Sequence, residues 1–235
     1  MSVRLSFEGE VATIALDRPE ARNALNLEMC DALLEFSKEI AKQDIRLVFV
    51  RGNGPVFCGG ADLNERKGKS EAWIRERRMR AFAAYAALES LPMPCVALVH
   101  GAAIGSGVEI AAACDFIVAT PDASFRTPEA QRGTVGATQR LPRILGKRLA
   151  KDLMFTGRTL TAAEALQSGL ASRVGDLETA RREIAEAILK APPPALKLAK
   201  RTIDRGVELD PPGALQAEIE AIEEQLASGE WMGKT

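Results

Sequence analysis

A chain of 235 residues, 46% of them hydrophobic, can bury a sizeable core as one large domain or a domain with a small appendage. Its 31 basic and 32 acidic side chains leave a formal net charge of -1, so no global field draws it to nucleic acid or an anionic membrane, and partners must be recognised locally. The separated cysteines Cys30, Cys58, Cys95 and Cys114, without a CxxC pair or a histidine cluster, argue against a zinc site or disulfide framework. With no run apolar enough for a signal peptide or a membrane span, the expectation is a cytoplasmic, metal-free protein.

Val3, Leu5 and Phe7 alternate, Gly9 turns the chain, and Ala12, Ile14 and Leu16 resume, which predicts a β-hairpin ended by Arg18-Pro19. Asn26 is a good N-cap for a helix over 27–42 with Met29, Leu33, Phe36 and Ile40 on one face. The apolar run 47–50 predicts a strand covered on both sides, followed by a glycine-broken loop over 52–62. Ser70 caps a helix over 70–90, which Pro92 and Pro94 end. Its arginines Arg75, Arg77, Arg78 and Arg80 read as a solvated face, or else as contacts to a ligand phosphate or a neighbouring subunit. An RNA-binding surface is disfavoured, because no exposed aromatic residue is evident in the sequence beside them to stack bases.

The stretch CVALVHGAAIGSGVEIAAACDFIVA, residues 95–119, organises the remainder. An apolar strand over 95–99 crosses a turn with Gly101, Gly105 and Gly107 and enters a small-residue helix over 109–114. A helix start offers amide N–H groups with no intrahelical partner, so this junction can receive a developing negative charge. Glu109 sits in that first turn among apolar neighbours. An acid beside such a site suggests proton transfer next to a stabilised enolate, although an acid here also simply complements the helix dipole.

Beyond it come a buried strand over 115–119, a loop around a short strand over 124–126, and a helix over 146–155. Thr161 and Glu164 form a capping box for a helix ending at Gly169, and 170–174 reads as a last strand. Helices over 177–190, 195–206 and 214–226 follow. The pattern predicts an α/β core over 1–175 with a C-terminal helical region over 176–235.

Several motifs are excluded. Ile110 stands where a dinucleotide fingerprint needs its third glycine, and no Gly-Lys-Ser/Thr follows for a P-loop. Ile104 and Val108 flank Ser106 where a nucleophile elbow needs glycines, so His100 reads as structural rather than as the base of a serine hydrolase.

FCGGADL (57–63) with VHGAAIGSGVEIAAACD (99–115), LDRPEARNAL upstream and FRTPEAQRG downstream resembles the enoyl-CoA hydratase/isomerase (crotonase) superfamily, and the block 138–172 continues that likeness. The resemblance implies a spiral of repeated β-β-α units and a C-terminal helical region for trimerisation, in a homotrimer or dimer of trimers. It implies an acyl-CoA thioester substrate, with coenzyme A entering as part of that substrate and no separate cofactor. By the family pattern the two oxyanion-hole amides fall on Ala61 and Ser106. The catalytic glutamates fall on Glu109 and Glu129, which would hold one water, with Glu129 giving the α-carbon proton. Read without the family, Glu129 is an exposed acid paired with Arg126 or Arg132. Contacts to coenzyme A map onto Arg22, Ala24, Ala61, Asp62 and Leu63.

Three departures accompany the match. The loop after Glu129 is short and lacks a proline, and Arg132 adds a charge that would read a polar or carboxylated acyl group. The chain also ends soon after Trp231, so a neighbouring subunit is expected to complete the site. The leading expectation is hydration of a 2-enoyl-CoA. An enoyl-CoA isomerase and a non-catalytic acyl-CoA-binding or assembly subunit are the alternatives.

Overall fold

The computed structural model describes residues 2–229, so Trp231 and the expected truncation after it lie outside the described residues. β1 (Val3–Glu8) and β2 (Val11–Leu16) form the expected antiparallel hairpin, with Val3 opposite Leu16. α1 (Leu27–Ile40) starts at Asn26, whose side chain accepts from the Met29 amide over 2.9 Å. β3 (Leu47–Gly52) follows, then α2 (Glu71–Glu89) with Ser70 as its N-cap. β4 (Cys95–Val99) and β5 (Ala102–Ile104) lead into α3 (Ser106–Ala112). β6 (Phe116–Ala119) and β7 (Ser124–Arg126) precede α4 (Arg140–Thr156). β8 (Thr159–Thr161), α5 (Ala162–Ser168) and β9 (Arg173–Val174) complete the core, and α6 (Leu177–Lys190), α7 (Pro193–Gly206) and α8 (Pro211–Ser228) follow it.

The larger sheet runs β1-β2-β3-β4-β6-β9, parallel from β2 onward. Parallel strands need cover on both faces, and the period of two supplies it. Val48, Val50, Ala97 and Val99 face the main core with α1 and α2, whereas Phe49, Val96, Leu98 and Val118 pack against Ala180 and Ile184 of α6. A smaller sheet runs β5-β7-β8, and single bridges from Leu25 to Ala61 and from Cys58 to Ala103 carry the chain between the layers. Successive β-β-α units thus wind as a spiral, and the three last helices stand outside it.

Several expectations need correction. Arg77 is not on a solvated face: it is 2% exposed, ion-paired with Glu65, and donates to the Leu25 carbonyl. α4 begins at Arg140, not at 146, because Gly146 (φ 73°, ψ 158°) kinks the helix without ending it. The strand expected over 170–174 shrinks to Arg173–Val174, since the Ala171 amide donates to the Ala165 carbonyl at the end of α5. β5 and β8, three residues each, are too short to show alternation. α7 starts two residues early, with prolines in the first turn where no amide hydrogen bond is lost. The four cysteines are buried and free.

Candidate active site

The turn between β5 and α3 depends on two glycines. Gly105 has φ 51°, and a Cβ there would lie 2.6 Å from Glu129 Oε1. A Cβ on Gly107 would meet the Cys58 carbonyl oxygen at 2.5 Å, so only glycine lets α3 start this close to the 57–61 segment. Ser106 is the first residue of α3, and its amide has no intrahelical acceptor.

Ala61 reaches the same place by another route. Leu25 donates to Gly60 O (2.7 Å) and Asp62 donates to Leu25 O (2.8 Å), so the Ala61 amide between them points away from Leu25. Neither the Ala61 nor the Ser106 amide has a protein acceptor among the described residues. Both residues line one cavity of about 390 Å³. Asn23, fully buried with φ 53°, sets this geometry: its Nδ2 donates to Asn53 O (2.8 Å), Val56 O (2.9 Å) and Phe57 O (3.2 Å), pinning the start of the segment.

Glu109 and Glu129 face that same cavity. Glu109, 8% exposed, projects from the first turn of α3; its Oε1 accepts from the Ala137 amide (2.7 Å) and its Oε2 from Arg140 Nη1 (3.3 Å). Arg140 also donates to Glu89 Oε2 (2.6 Å) and lies 5.9 Å from the Tyr85 ring centroid. Glu129 is not the exposed, paired acid of the alternative reading. Arg126 donates instead to Gly157 O (2.6 Å), and Glu129 Oε2 is buried without a partner among the described residues. Burial raises the Glu129 carboxyl above its ordinary value of 4.5, with the charge of Glu109 adding to the rise and Arg132 opposing it. The Tyr85 hydroxyl is in hydrogen-bonding contact with Ser106, and burial pushes its pKa up.

The residues expected to contact coenzyme A divide. Ala61 and Leu63 line the cavity, and Leu63 is 48% exposed at its edge. The Asp62 side chain is turned away, pairing with Arg18 Nη1 (3.1 Å) and accepting from the Asn64 amide (2.9 Å). Arg22 is exposed beside the short turn Pro19–Ala21, and Ala24 accepts from Arg18 through its carbonyl (2.8 Å), so neither enters the cavity wall. His100 binds Gly54 O through Nε2 (2.8 Å) and forms no dyad with Ser106.

Asn23, Tyr85 and Arg140 escaped the sequence reading as site residues, and Arg77 entered it only within an arginine cluster read first as solvated. Two carried a usable signal. Arg77 stands in phase with the buried stripe Ala81, Ala84, Tyr85 and Leu88, which marks it as inward-facing. Arg140 is a cation in the first turn of a helix, against the dipole preference, which asks for a specific acidic partner.

Two unpaired amides opposite two carboxylates, in a cavity that also admits apolar atoms, suit the stabilisation of an enolate with proton transfer beside it. The family model described as enoyl-CoA hydratase/isomerase matches residues 6–232. The short-chain-enoyl-CoA hydratase of Clostridium acetobutylicum is 37% identical over 234 residues, covering 95% of this chain and 88% of that protein. The crystal structure of an enoyl-CoA hydratase from Bacillus anthracis superposes with a TM-score of 0.92 at 35% identity, over 95% of this chain and 90% of that one. A Thermobifida fusca structure in complex with CoA superposes with a TM-score of 0.90 at 29% identity, over 97% and 93% of the two chains. A match that spans the whole spiral and the helices after it, joined to this cavity, places the chain in the enoyl-CoA hydratase/isomerase family, with the crotonase fold.

Proposed function

We propose that this protein adds water across the double bond of a 2-enoyl-CoA thioester. The observation that carries the reading is the convergence of Glu109, Glu129 and the two unpaired amides of Ala61 and Ser106 on one cavity. The thioester oxygen sits between the two amides. Water held by the glutamates attacks the β-carbon and gives one proton to Glu109. The electron pair of the double bond moves to the thioester as an enolate, and the amides hold the negative oxygen; one such donor contributes about 10²–10³ in rate. Glu129, whose carboxyl is raised above its ordinary value by burial, delivers its proton to the α-carbon. The proton on Glu109 then returns to Glu129 through the next bound water. Coenzyme A takes part as the carrier of the acyl group, a reading supported by the Thermobifida fusca structure solved in complex with CoA, and no further cofactor enters the scheme.

The decay of enoyl-thioester absorbance with crotonyl-CoA tests the reading. Absorbance lost with the wild type and retained with Glu129→Gln is the expected result; wild-type turnover undiminished in both Glu109→Gln and Glu129→Gln rejects it.

One observation favours an isomerase instead. Both Glu109 oxygens are already engaged, which leaves Glu129 as the carboxylate with an unpartnered oxygen. A single glutamate can move a proton between the α- and γ-carbons without water. Incubating a 3-enoyl-CoA in heavy-oxygen water separates the two, because only hydration puts label into the product. The exposed apolar residues of α7 and α8, among them Ile203 and Leu215, with Val207 just past the end of α7, fit contacts between copies of the chain in a homotrimer or dimer of trimers.

A further inference from the structure

The cavity wall carries more positive charge than the proposed chemistry uses. Arg66, Arg77, Arg78 and Arg132 line it against Glu109 and Glu129. Arg77 is satisfied by Glu65 and the Leu25 carbonyl, and Glu109 is satisfied by Arg140 and the Ala137 amide. Arg66, Arg78 and Arg132 have no ion pair and no side-chain hydrogen bond among the described residues, and Arg66 Nε is buried without a partner. Guanidinium groups do not shed their charge, so neighbouring ones repel unless an anion stands between them. Burial, with Arg77 and Arg78 adding to it, lowers the pKa of Arg66.

We propose that the acyl group taken by this site ends in a carboxylate, bound by Arg66, Arg78 and Arg132. The substrate class is therefore a short enoyl-CoA carboxylated at its far end. Ala81, Phe82 and Val135 line the same cavity and offer apolar surface to the intervening carbons. A volume of about 390 Å³ has room for an acyl chain and its terminal carboxylate. The anion belongs to the acyl end by connectivity. With the thioester at Ala61 and Ser106, the phosphates of coenzyme A lie a whole pantetheine arm away, whereas a carboxylate a few carbons past the double bond remains in the cavity. This inference rests on the acyl-CoA reading of the site but not on hydration.

Calorimetric titration with two saturated esters of equal carbon number, glutaryl-CoA and pentanoyl-CoA, tests it without turnover. Glutaryl-CoA is expected to bind the wild type about tenfold or more tightly, the scale of a charge-assisted hydrogen bond. That ratio should fall towards one in Arg66→Met and in Arg78→Met and recover in part in Arg66→Lys. Because the readout is a ratio within each variant, a general loss of affinity cancels, and Arg132→Met reads the same ratio if another variant does not fold. Equal wild-type affinities, or a ratio that none of the variants changes, overturn the proposal.

The same titration with glutaryl-pantetheine and pentanoyl-pantetheine separates carboxylate from phosphate. If Arg66→Met weakens only the CoA esters, the arginines read the phosphates of coenzyme A and the proposal falls. A carboxylate preference without turnover of any enoyl-CoA keeps this proposal and removes the hydratase assignment. Turnover without that preference does the reverse, and binding of neither ester removes both.

Discussion

The Ala137 amide donates to Glu109 Oε1 over 2.7 Å, so the loop that follows one glutamate holds the other in place. Arg140 completes the grip on Oε2 at 3.3 Å, and Glu129 Oε2 is left buried with no partner among the described residues. Two carboxylates on one cavity therefore differ in what surrounds them, which is what distinct roles in proton transfer require.

The Glu129 asymmetry has a pH signature. Burial raises its carboxyl above 4.5, so the folded state keeps this proton to higher pH than the unfolded chain does. Stability from this group is then full below about pH 4.5 and declines as pH rises through the folded-state pKa. Glu129→Gln, neutral at every pH, should melt above the wild type near neutrality, with the gap closing on acidification, while kcat falls by about 10²–10⁴. Melting curves from pH 4 to 8 check the first part; a constant gap across that range would place the effect elsewhere. Wild-type activity should fall on the alkaline side as Glu129 loses its proton.

Arg140→Met leaves a Glu109 oxygen that is 9% exposed on its side chain without its cation. The expected loss is about 1.5–3 kcal/mol in urea denaturation. The kinetic loss should fall on kcat more than on KM, because Glu109 moves and the binding surface does not. Glu89→Gln should do much less, since Glu89 is 53% exposed and water replaces its bond. Equal kcat in wild type and Arg140→Met would remove Arg140 from the positioning of Glu109.

The parts of the molecule legible in the amino-acid order share a physical cause: their determinants are local. Asn26, Ser70 and Thr161 each bond an amide three residues on, and the runs at 47–50 and 95–99 become central strands because parallel strands buried on both faces are apolar throughout. Ala61, Ser106, Glu109 and Glu129 share a cavity, as the resemblance implied, whereas Asp62 turns to Arg18. What stayed hidden acts across long separations. Arg77 finds Glu65 from within an arginine-rich helix, Arg140 finds Glu89, and Asn23 gathers carbonyls 30 to 34 positions later. No local pattern encodes such partners, and a charged side chain in a helix is by default solvated.

Gly105 and Gly136 separate backbone strain from displacement of Glu129. A Cβ at Gly105 would sit 2.6 Å from Glu129 Oε1 in a backbone with φ 51°, whereas one at Gly136 would meet Glu129 Cγ at 3.0 Å without a positive φ. Gly105→Ala should cost about 1–3 kcal/mol of stability and most of the activity. Gly136→Ala should lower kcat with a smaller effect on stability. Urea denaturation beside steady-state kinetics reads both; a Gly136→Ala enzyme with wild-type kcat would show that Glu129 tolerates the shift.

Asn23 allows the sharpest test of how the Ala61 amide is positioned. Its Nδ2 serves three carbonyls and its Oδ1 accepts from the Arg18 amide at 2.8 Å, all from a residue with φ 53°. Asn23→Gly keeps the backbone conformation and removes the bonds, for an expected loss of about 1–3 kcal/mol. Asn23→Ala adds the strain of a Cβ at positive φ, about 1–2 kcal/mol more. Asn23→Asp keeps the acceptor for Arg18 but turns a second oxygen, instead of a donor, towards the carbonyls of Asn53, Val56 and Phe57. It should therefore be the least stable of the three near neutral pH and recover in part as acid protonates it, since the acid form donates again. The ordering Gly, Ala, Asp in urea denaturation distinguishes a hydrogen-bonding hub from a space-filling residue, for which Asp, the nearest in shape, would be the mildest change.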